Sequence, residues 1–451
     1  MMNTELIRKY NVPGPRYTSY PAVPFWDEEG ITTEDWESTL ISSFVESYAD
    51  GISLYIHLPF CESLCTFCGC HKQITRRHDV EDPYIQTVLK EWQLYLDFLP
   101  LTPMIREIHL GGGTPTFFST SNLEILINGI LEKAELAEDY QFSFEGHPNN
   151  TSKEHLQTLY DLGFRRVSYG VQDYDPQVQF AINRIQPFDN VKRVHEWSQE
   201  IGYTSVNHDL VFGLPHQTPE SIENTINKTN ELRPDRIAFY SYAHVPWMKG
   251  NGQRGFDEKD LPKDHEKRAL YELGKHMFFK NGYREIGMDH FALPSDSLYQ
   301  AMKARDLHRN FMGYTSGSTK ALIGLGMSAI SDSWYSFAQN EKKLKDYRQQ
   351  VEEGDLPVFR GHLLSTEDLL LRENILNIMC RFETEFEGDY PLFEKIKEDL
   401  EELVSDGLVH INGRKVTVTK EGIPFVRNIC MAFDRKLQES KPRENLFSKT
   451  V

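Results

Sequence analysis

The residues able to do chemistry are concentrated in one stretch, Cys61-Glu62-Ser63-Leu64-Cys65-Thr66-Phe67-Cys68-Gly69-Cys70. Four of the chain's 6 cysteines stand there, spaced C-x3-C-x2-C with a fourth two residues further on. Thiols this close along one segment cannot all form disulfides of good geometry, so the spacing points to metal. Structural zinc takes four ligands, usually two C-x2-C pairs far apart in sequence or a Cys/His mixture. Three closely spaced thiolates suit one face of an iron–sulfur cubane instead and leave one iron without a protein ligand. An open metal position marks a catalytic site. Cys70 leaves two readings open, a fourth ligand that closes the cluster or a thiol standing beside it. A zinc-stapled binding module is the non-catalytic alternative.

The elements that must position this stretch are legible as strand–helix alternation. Short apolar or β-branched runs read as strands over 52–58, 105–110, 140–145, 166–171, 203–210 and 236–242. Helical patterns separate them. One is expected to start with Asp82 as N-cap and Pro83 at its first position, burying Tyr84, Val88, Trp92 and Tyr95. A second is expected from the capping box Ser121-x-x-Glu124. Others start near Ser152 and at Thr218-Pro219. Strands separated by helices run parallel, which predicts an α/β fold, a partial TIM-like barrel of six βα units. Catalytic groups in such folds collect at the carboxyl ends of the strands. Here those ends carry the cysteine loop, Gly111-Gly112-Gly113-Thr114, Glu145, Gln172-Asp173, Asp209 and Tyr242-Ala243-His244. Six special ends on one rim speak for a single site and against the zinc-stapled module.

Around the barrel lie two other regions. Residues 1–50 form an N-terminal arm, rich in Pro, Gly and aromatics over Asn11–Pro21, followed by a helix from about Thr33 to Tyr48 with Trp36, Leu40, Phe44 and Tyr48 on one stripe. From composition alone the arm reads as a surface tail, although its aromatics are more than a solvated tail normally carries. The barrel and its closing segments are assigned to 51–357. Residues 358–451 are mostly helical: a helix capped by Ser365-x-x-Asp368, another near 392–405, and a hairpin around Asn412-Gly413, the pattern of a winged helix. The net charge of −18 argues against nucleic-acid binding and for a packing or lid role. With no apolar leader and no run near the ~18 apolar residues of a membrane span, the expectation is a cytoplasmic protein, where thiolates stay reduced.

C-x3-C-x2-C after a strand, with the flanks Tyr55-Ile-His-Leu-Pro-Phe-Cys61 and Phe67-Cys68-Gly69-Cys70, resembles the oxygen-independent coproporphyrinogen III oxidases of the radical S-adenosylmethionine (SAM) superfamily. The arm Asn11–Pro21 and the run Asn207–Thr218 also resemble that family, which implies that residues 1–50 lie near the active-site mouth, and the likeness extends from about Ile7 to Phe447. The resemblance implies a [4Fe-4S] cluster on Cys61, Cys65 and Cys68, with Cys70 not a ligand but needed for turnover. It implies two molecules of SAM. The glycine stretch with Gly112, Gly113 and Thr114 would meet the SAM amino group, with Glu145, Gln172, Arg184 and Asp209 as further contacts. Tyr55, Phe67, Ala243 and Ile330 become cofactor-binding positions by the same matching. The implied reaction converts coproporphyrinogen III to protoporphyrinogen IX: the adenosyl radical takes a propionate β-hydrogen, and loss of an electron and CO2 leaves a vinyl group, twice. The implied partners are the porphyrinogen and an electron donor such as a flavodoxin or ferredoxin, with the enzyme a monomer.

The substrate's four carboxylates call for cations, and Arg16 and the His308-Arg309 pair are the candidates, since a guanidinium is the natural bidentate partner. His57 and His109, inside strands, read as core histidines. There are departures from the family pattern. Where the family has an acid two residues after the glutamate, this chain has His147, and His208 replaces an apolar residue, which puts substrate choice in question at the rim. A haem-trafficking relative is one alternative reading, but such proteins lack the Arg16–Pro21 arm and the fourth cysteine. A haem-degrading or methylating radical SAM relative is another.

Overall fold

The structure, a computed structural model, describes residues 4–245, 253, 255–439 and 447–450. Its centre is a run of seven parallel strands inside a 12-stranded mixed sheet. Six are the expected ones: β1 (Ile52–Leu58), β2 (Met104–Gly112), β3 (Glu135–Gly146), β4 (Phe164–Gln172), β5 (Ser205–Phe212) and β6 (Arg236–Ser241). They lie side by side in chain order, as consecutive right-handed βα units must. The expectation of six strands falls short by one. β7 (Ala321–Leu325) pairs in parallel with the free side of β1. Antiparallel strands extend both edges: Ile330–Asp332, Ser336–Asn340 and Val358–Leu363 beyond β7, and His290–Ala292 and Arg284–Gly287 beyond β6.

Along these strands the period of two is inverted relative to a dry barrel. Ile108, Phe142, Phe144, Val167, Val206, Leu210 and Ile237 are buried in the layer between sheet and helices. The alternate positions are polar: Ser53, Glu107, His109, Gln141, Ser143, Arg166, Ser168, Asn207 and Asp209 line one lumen cavity of about 160 Å3 together with residues of β6. Because six strands contribute to that one cavity, the sheet curls into a partial barrel whose interior is wet.

Two helix starts differ from expectation. The helix Glu81–Phe98 begins at Glu81 after Val80, so Asp82 lies within the first turn and acts on the helix dipole instead of capping. Its buried face carries Tyr84, Val88, Trp92 and Tyr95 as read from the pattern. The helix Thr120–Leu131 is capped by Ser119 and not by Ser121. The buried Glu81 carboxylate accepts from the Ser119 N–H and the Asn122 side chain, each at 2.8 Å, and fixes where the chain turns in.

The terminal regions merge. Trp36, Leu40 and Phe44 of the helix Thr33–Glu46 belong to the barrel core. Tyr10, Tyr17 and Tyr20 belong to a second core with Leu371, Ile375, Phe393, Leu400 and Phe433. The winged-helix pattern is present as helices Thr366–Arg381 and Tyr390–Ser405 with the strands Glu383–Glu385, Val409–Asn412 and Lys415–Val418 in one small sheet. The arm is therefore structural, and the surface-tail reading is wrong. Its aromatics complete the core of a domain that begins some 350 residues later in the chain.

Candidate active site

The cysteine loop leaves β1 at Leu58 and returns through the short pairing of Phe60–Cys61 with Gln73–Ile74. Next to it runs the glycine stretch at the end of β2. The Gly113 N–H donates to the Leu58 carbonyl at 2.8 Å and the Thr114 N–H to the Phe60 carbonyl at 3.0 Å. A Cβ on Gly113 would stand 2.5 Å from the Pro59 carbonyl oxygen, and one on Gly112 would stand 2.8 Å from the His57 ring. These glycines let two backbones touch, which sets the floor of the site.

Between that floor and the ends of β3, β4 and β5 lies a cavity of about 420 Å3. Cys61, Cys65, Cys68, Cys70, Phe67, Gly112, Gly113, Thr114, Glu145, Gln172, Arg184 and Asp209 all line it. These include all four cysteines and eight of the eleven cofactor positions taken from the sequence. Tyr55, Ala243 and Ile330 do not line it. Tyr55 packs with Leu322 and Ala329 and donates its hydroxyl hydrogen to His57 Nδ1 at 3.1 Å. Ile330 lies beside β7, where a Cβ on Gly324 would meet its carbonyl at 2.5 Å. Ala243 follows β6, and its carbonyl accepts from Gln253.

The electrostatics set the thiols of the loop apart from one another and raise the buried acid that faces them. Cys68 is pulled down to about 6, chiefly by a hydrogen bond from the Cys70 thiol, with Lys72 and Arg184 assisting. The same bond pushes Cys70 well above the usual thiol range. Burial pushes Cys61 up to about 11, and the Thr114 hydroxyl stands 3.3 Å from its sulfur. Arg184 Nη1 lies 3.6 Å from Cys65 Sγ, and its Nη2 donates to the Gly170 carbonyl at 2.6 Å. Burial raises Asp209 to about 6, although it accepts from Ser168 Oγ and Asn207 Nδ2, each at 2.8 Å. Glu145 is the open carboxylate, its side chain 46% exposed, with His109 Nε2 at 3.5 Å. Three soft thiols on one loop, flanked by cations and facing a roomy polar cavity, fit the donor set of a site-differentiated cubane.

The radical SAM superfamily model matches residues 55–229. The chain is 36% identical over 461 residues to an oxygen-independent coproporphyrinogen III oxidase of Synechocystis sp., an alignment covering 100% of this chain and 98% of that one. Identity to the Escherichia coli protein of that name is 37% over 457 residues, covering 99% and 98%. The solved structure of coproporphyrinogen III oxidase from Escherichia coli, described there as a radical SAM enzyme, superposes with a TM-score of 0.90 at 34% identity over 97% of this chain and 99% of that one. The chain belongs to the oxygen-independent coproporphyrinogen III oxidases. Membership of this radical SAM family carries a [4Fe-4S] cluster and SAM with it.

Several residues that hold this oxidase's site together were not legible in the sequence. Lys72 donates to the carbonyls of Cys68 and Cys70, each at 3.2 Å. The Thr66 N–H donates to the Ile182 carbonyl at 3.0 Å, its hydroxyl to that of Ala181 at 3.0 Å, and Asn183 Nδ2 to that of Leu64 at 2.7 Å. Gln253 Nε2 donates to the carbonyls of Phe67 and Ala243, joining the loop to the end of β6. His57, read as a core histidine, donates from Nε2 to the His71 carbonyl at 2.9 Å and so closes the base of the loop.

The two histidines that depart from the family pattern prove unalike. His147 lines the cavity, and burial followed by the Arg184 charge lowers it to about 2, so it is neutral there. His208 is not on the rim. It points outward from β5 into the helix layer, its Nε2 3.2 Å from His195 Nδ1. Asn207 and Asp209 take the inward positions, and strand alternation leaves His208 no choice.

The substrate candidates also move. Arg309 Nε and Nη2 donate to the carbonyls of Tyr17 and Arg16 at 3.3 and 3.2 Å, and its guanidinium lies over the Tyr314 ring. It struts the arm and is not a cation facing the cavity. His308, on the strand His308–Asn310, lies outside the cavity as well, and burial lowers it to about 4. Arg16 is ion-paired with Asp289 and lines a separate cleft with Lys267 and Arg427.

Proposed function

We propose that this chain converts two propionate side chains of coproporphyrinogen III to vinyl groups without oxygen, at the cavity between the cysteine loop and the ends of β3 to β5. One observation carries this reading. The cavity that gathers Cys61, Cys65 and Cys68 continues through Glu145, Ser168 and Asp209 into the polar lumen, so the metal-binding loop and a chamber for organic groups share walls. When bound, the cluster and SAM supply a 5′-deoxyadenosyl radical that removes a propionate β-hydrogen.

The protein's own part is to place groups and keep water out. Cys61, Cys65 and Cys68 hold the cluster. The backbone of Gly112 and Gly113 and the carboxylate of Glu145 take the amino group of SAM, while Arg184, Gln172 and Asp209 fix its remaining polar groups. The cavity and the lumen together give room for a second SAM molecule. Asp209, raised to about 6, keeps its hydrogen bonds to Ser168 and Asn207 in either protonation state. Cys70, a free thiol that lines the same cavity, serves turnover without binding the cluster. A flavodoxin or ferredoxin supplies the electrons. All six cysteines are free thiols, which suits a monomer working in the reducing cytoplasm, and no helix among the described residues is long and apolar enough to cross a membrane.

The deciding experiment is an anaerobic incubation of reconstituted enzyme with coproporphyrinogen III, SAM and dithionite, followed by chromatography of the porphyrins. Divinyl product is expected. Tight haem binding with no vinyl product would replace this reading with the haem carrier.

A further inference from the structure

The most exposed large apolar side chain among the described residues is Phe180, at 80%, and Ile185 follows among the aliphatics at 58%. Neither is a stray surface residue. The helix Pro176–Ala181 buries Val178 on its inner side, and the residues just after Phe180 are those that hold the cysteine loop. Ala181 and Ile182 accept from Thr66, and Asn183 donates to Leu64. On the other flank of the loop Ile74, 46% exposed, pairs with Cys61. Three exposed apolar side chains thus flank the one segment that carries the cluster ligands, and Ile185 on one flank and Arg76 on the other both border the mouth of its cavity. Apolar exposure of this kind around one segment marks an interaction surface.

The charge beside it is unusual for this chain. The stretch 71–78 holds three cations, Lys72, Arg76 and Arg77, in a protein whose net charge is −18, although Arg77 donates to the carboxylate of the neighbouring Asp79. Arg76 and Arg77 are exposed. An aromatic anchor rimmed by arginines is the composition of a protein–protein hot spot. On an acidic molecule such a patch steers an acidic partner to one place.

We propose that Phe180, Ile185 and Ile74, with the rim of Arg76 and Arg77, form the docking surface for a small acidic one-electron carrier of the flavodoxin type. The proposal rests on the catalytic reading above, because that reaction consumes low-potential electrons. One electron passes per encounter from the reduced flavin of the carrier to the cluster held by Cys61, Cys65 and Cys68, oxidising the flavin by one electron with no atom exchanged. Tunnelling rates fall steeply with distance, so the carrier has to seat on the loop's own flank. A small, salt-sensitive, transient interface is the kind that redox partners use.

The test uses the full reconstituted chain and two readouts. Oxidised flavodoxin is titrated calorimetrically against wild type, Phe180→Asp, Arg77→Glu and the distant control Phe279→Asp, at low and high salt. Dithionite-driven turnover of coproporphyrinogen is then measured for the same four proteins. The expected result is affinity weakened ~tenfold or more in Phe180→Asp, a smaller loss in Arg77→Glu, weaker wild-type binding at high salt, an unchanged control, and unchanged dithionite-driven turnover throughout. Flavodoxin affinity that is the same in all four proteins overturns the proposal. So does a raised KM for coproporphyrinogen with dithionite, which would give the patch to the substrate, or a dimer that Phe180→Asp splits, which would give it to a second copy. Wild type lacking dithionite-driven product would overturn the catalytic reading instead, and the titration would still decide the docking surface.

Discussion

Arginine does opposite things at the two ends of this molecule. At the barrel rim Arg184 is held by one carbonyl and faces Cys65, leaving charge to act on a ligand. Where the arm meets the C-terminal domain, Arg427 donates from Nε to the Pro15 carbonyl and from Nη1 to that of Lys449, each at 2.9 Å, and from Nη2 to that of Gly14. Arg309 is used in the same manner on Arg16 and Tyr17. Burial brings Arg427 down to about 9. At the rim a guanidinium is left facing a cavity. In the other region buried guanidinium groups are taken up by arm carbonyls around a tyrosine-rich core. A charge kept at the wall of a cavity, among groups with shifted protonation, is a sign of function.

The contrast can be broken most severely at the cysteines. Replacing Cys61, Cys65 or Cys68 with Ser is expected to abolish both iron and product, whereas reconstituted wild type should hold about four irons per chain. Iron analysis after anaerobic reconstitution checks this, and stoichiometric zinc in place of iron would refute the rim as a redox site. Cys70→Ser should keep the iron and lose product by orders of magnitude. Loss of iron as complete as in Cys68→Ser would make Cys70 a fourth ligand.

In the other region the expected loss is of stability. Arg427→Ala strands several carbonyls and should cost about 3 kcal/mol or more in urea unfolding, with SAM affinity unchanged in the protein that remains folded. Deleting residues 1–21 should go further, since it strips Tyr10, Tyr17 and Tyr20 from a core. A truncated protein with wild-type stability would show that the arm's packing is dispensable.

Smaller effects sharpen the difference. Glu145→Ala should weaken SAM about ten- to hundredfold, or about 1.5–3 kcal/mol, and leave iron content and melting temperature alone. Equilibrium binding of SAM measures it. Asp209 offers the finest test. Its carboxyl is raised by burial to about 6, so the folded protein binds its proton more tightly than the unfolded chain. Below about pH 4 both states are protonated and the group contributes nothing. As pH rises from 4 to 6 the unfolded chain loses this proton while the folded protein keeps it, so stability falls, with the full penalty present above 6, where the buried carboxyl ionises as well. Asp209→Asn should therefore stabilise the metal-free protein at pH 7.5 by about 1–2 kcal/mol, with no gain near pH 4. Urea titrations at the two pH values decide it, and an equal gain at both would mean that folding leaves the affinity of Asp209 for its proton unchanged.

By itself the sequence determined the strands and the chemistry of the loop. Apolar and β-branched runs marked β1 to its last residue and placed the ends of the other five to within five residues, because such a run is a local property of one extended segment. The cysteine spacing is local in the same sense. Only the tertiary structure decided where distant segments meet. β7 carries no clear strand signature, because Gly324 stands in it and Gly326 directly follows it. Both glycines answer to neighbours far off in sequence: a Cβ on Gly324 would stand 2.5 Å from the Ile330 carbonyl oxygen, and one on Gly326 2.6 Å from that of His57. The same holds for Gly113, whose need arises from the touching cysteine loop, and for Gly112, which lies against the His57 ring of β1. Arg309 and His208 look in sequence like rim chemistry, but the arm's carbonyls take the first, and the outward side of β5 takes the second. A residue's type and spacing set what it can do. Which carbonyl, ring or cavity it faces depends on contacts made across hundreds of residues, and no local pattern records them.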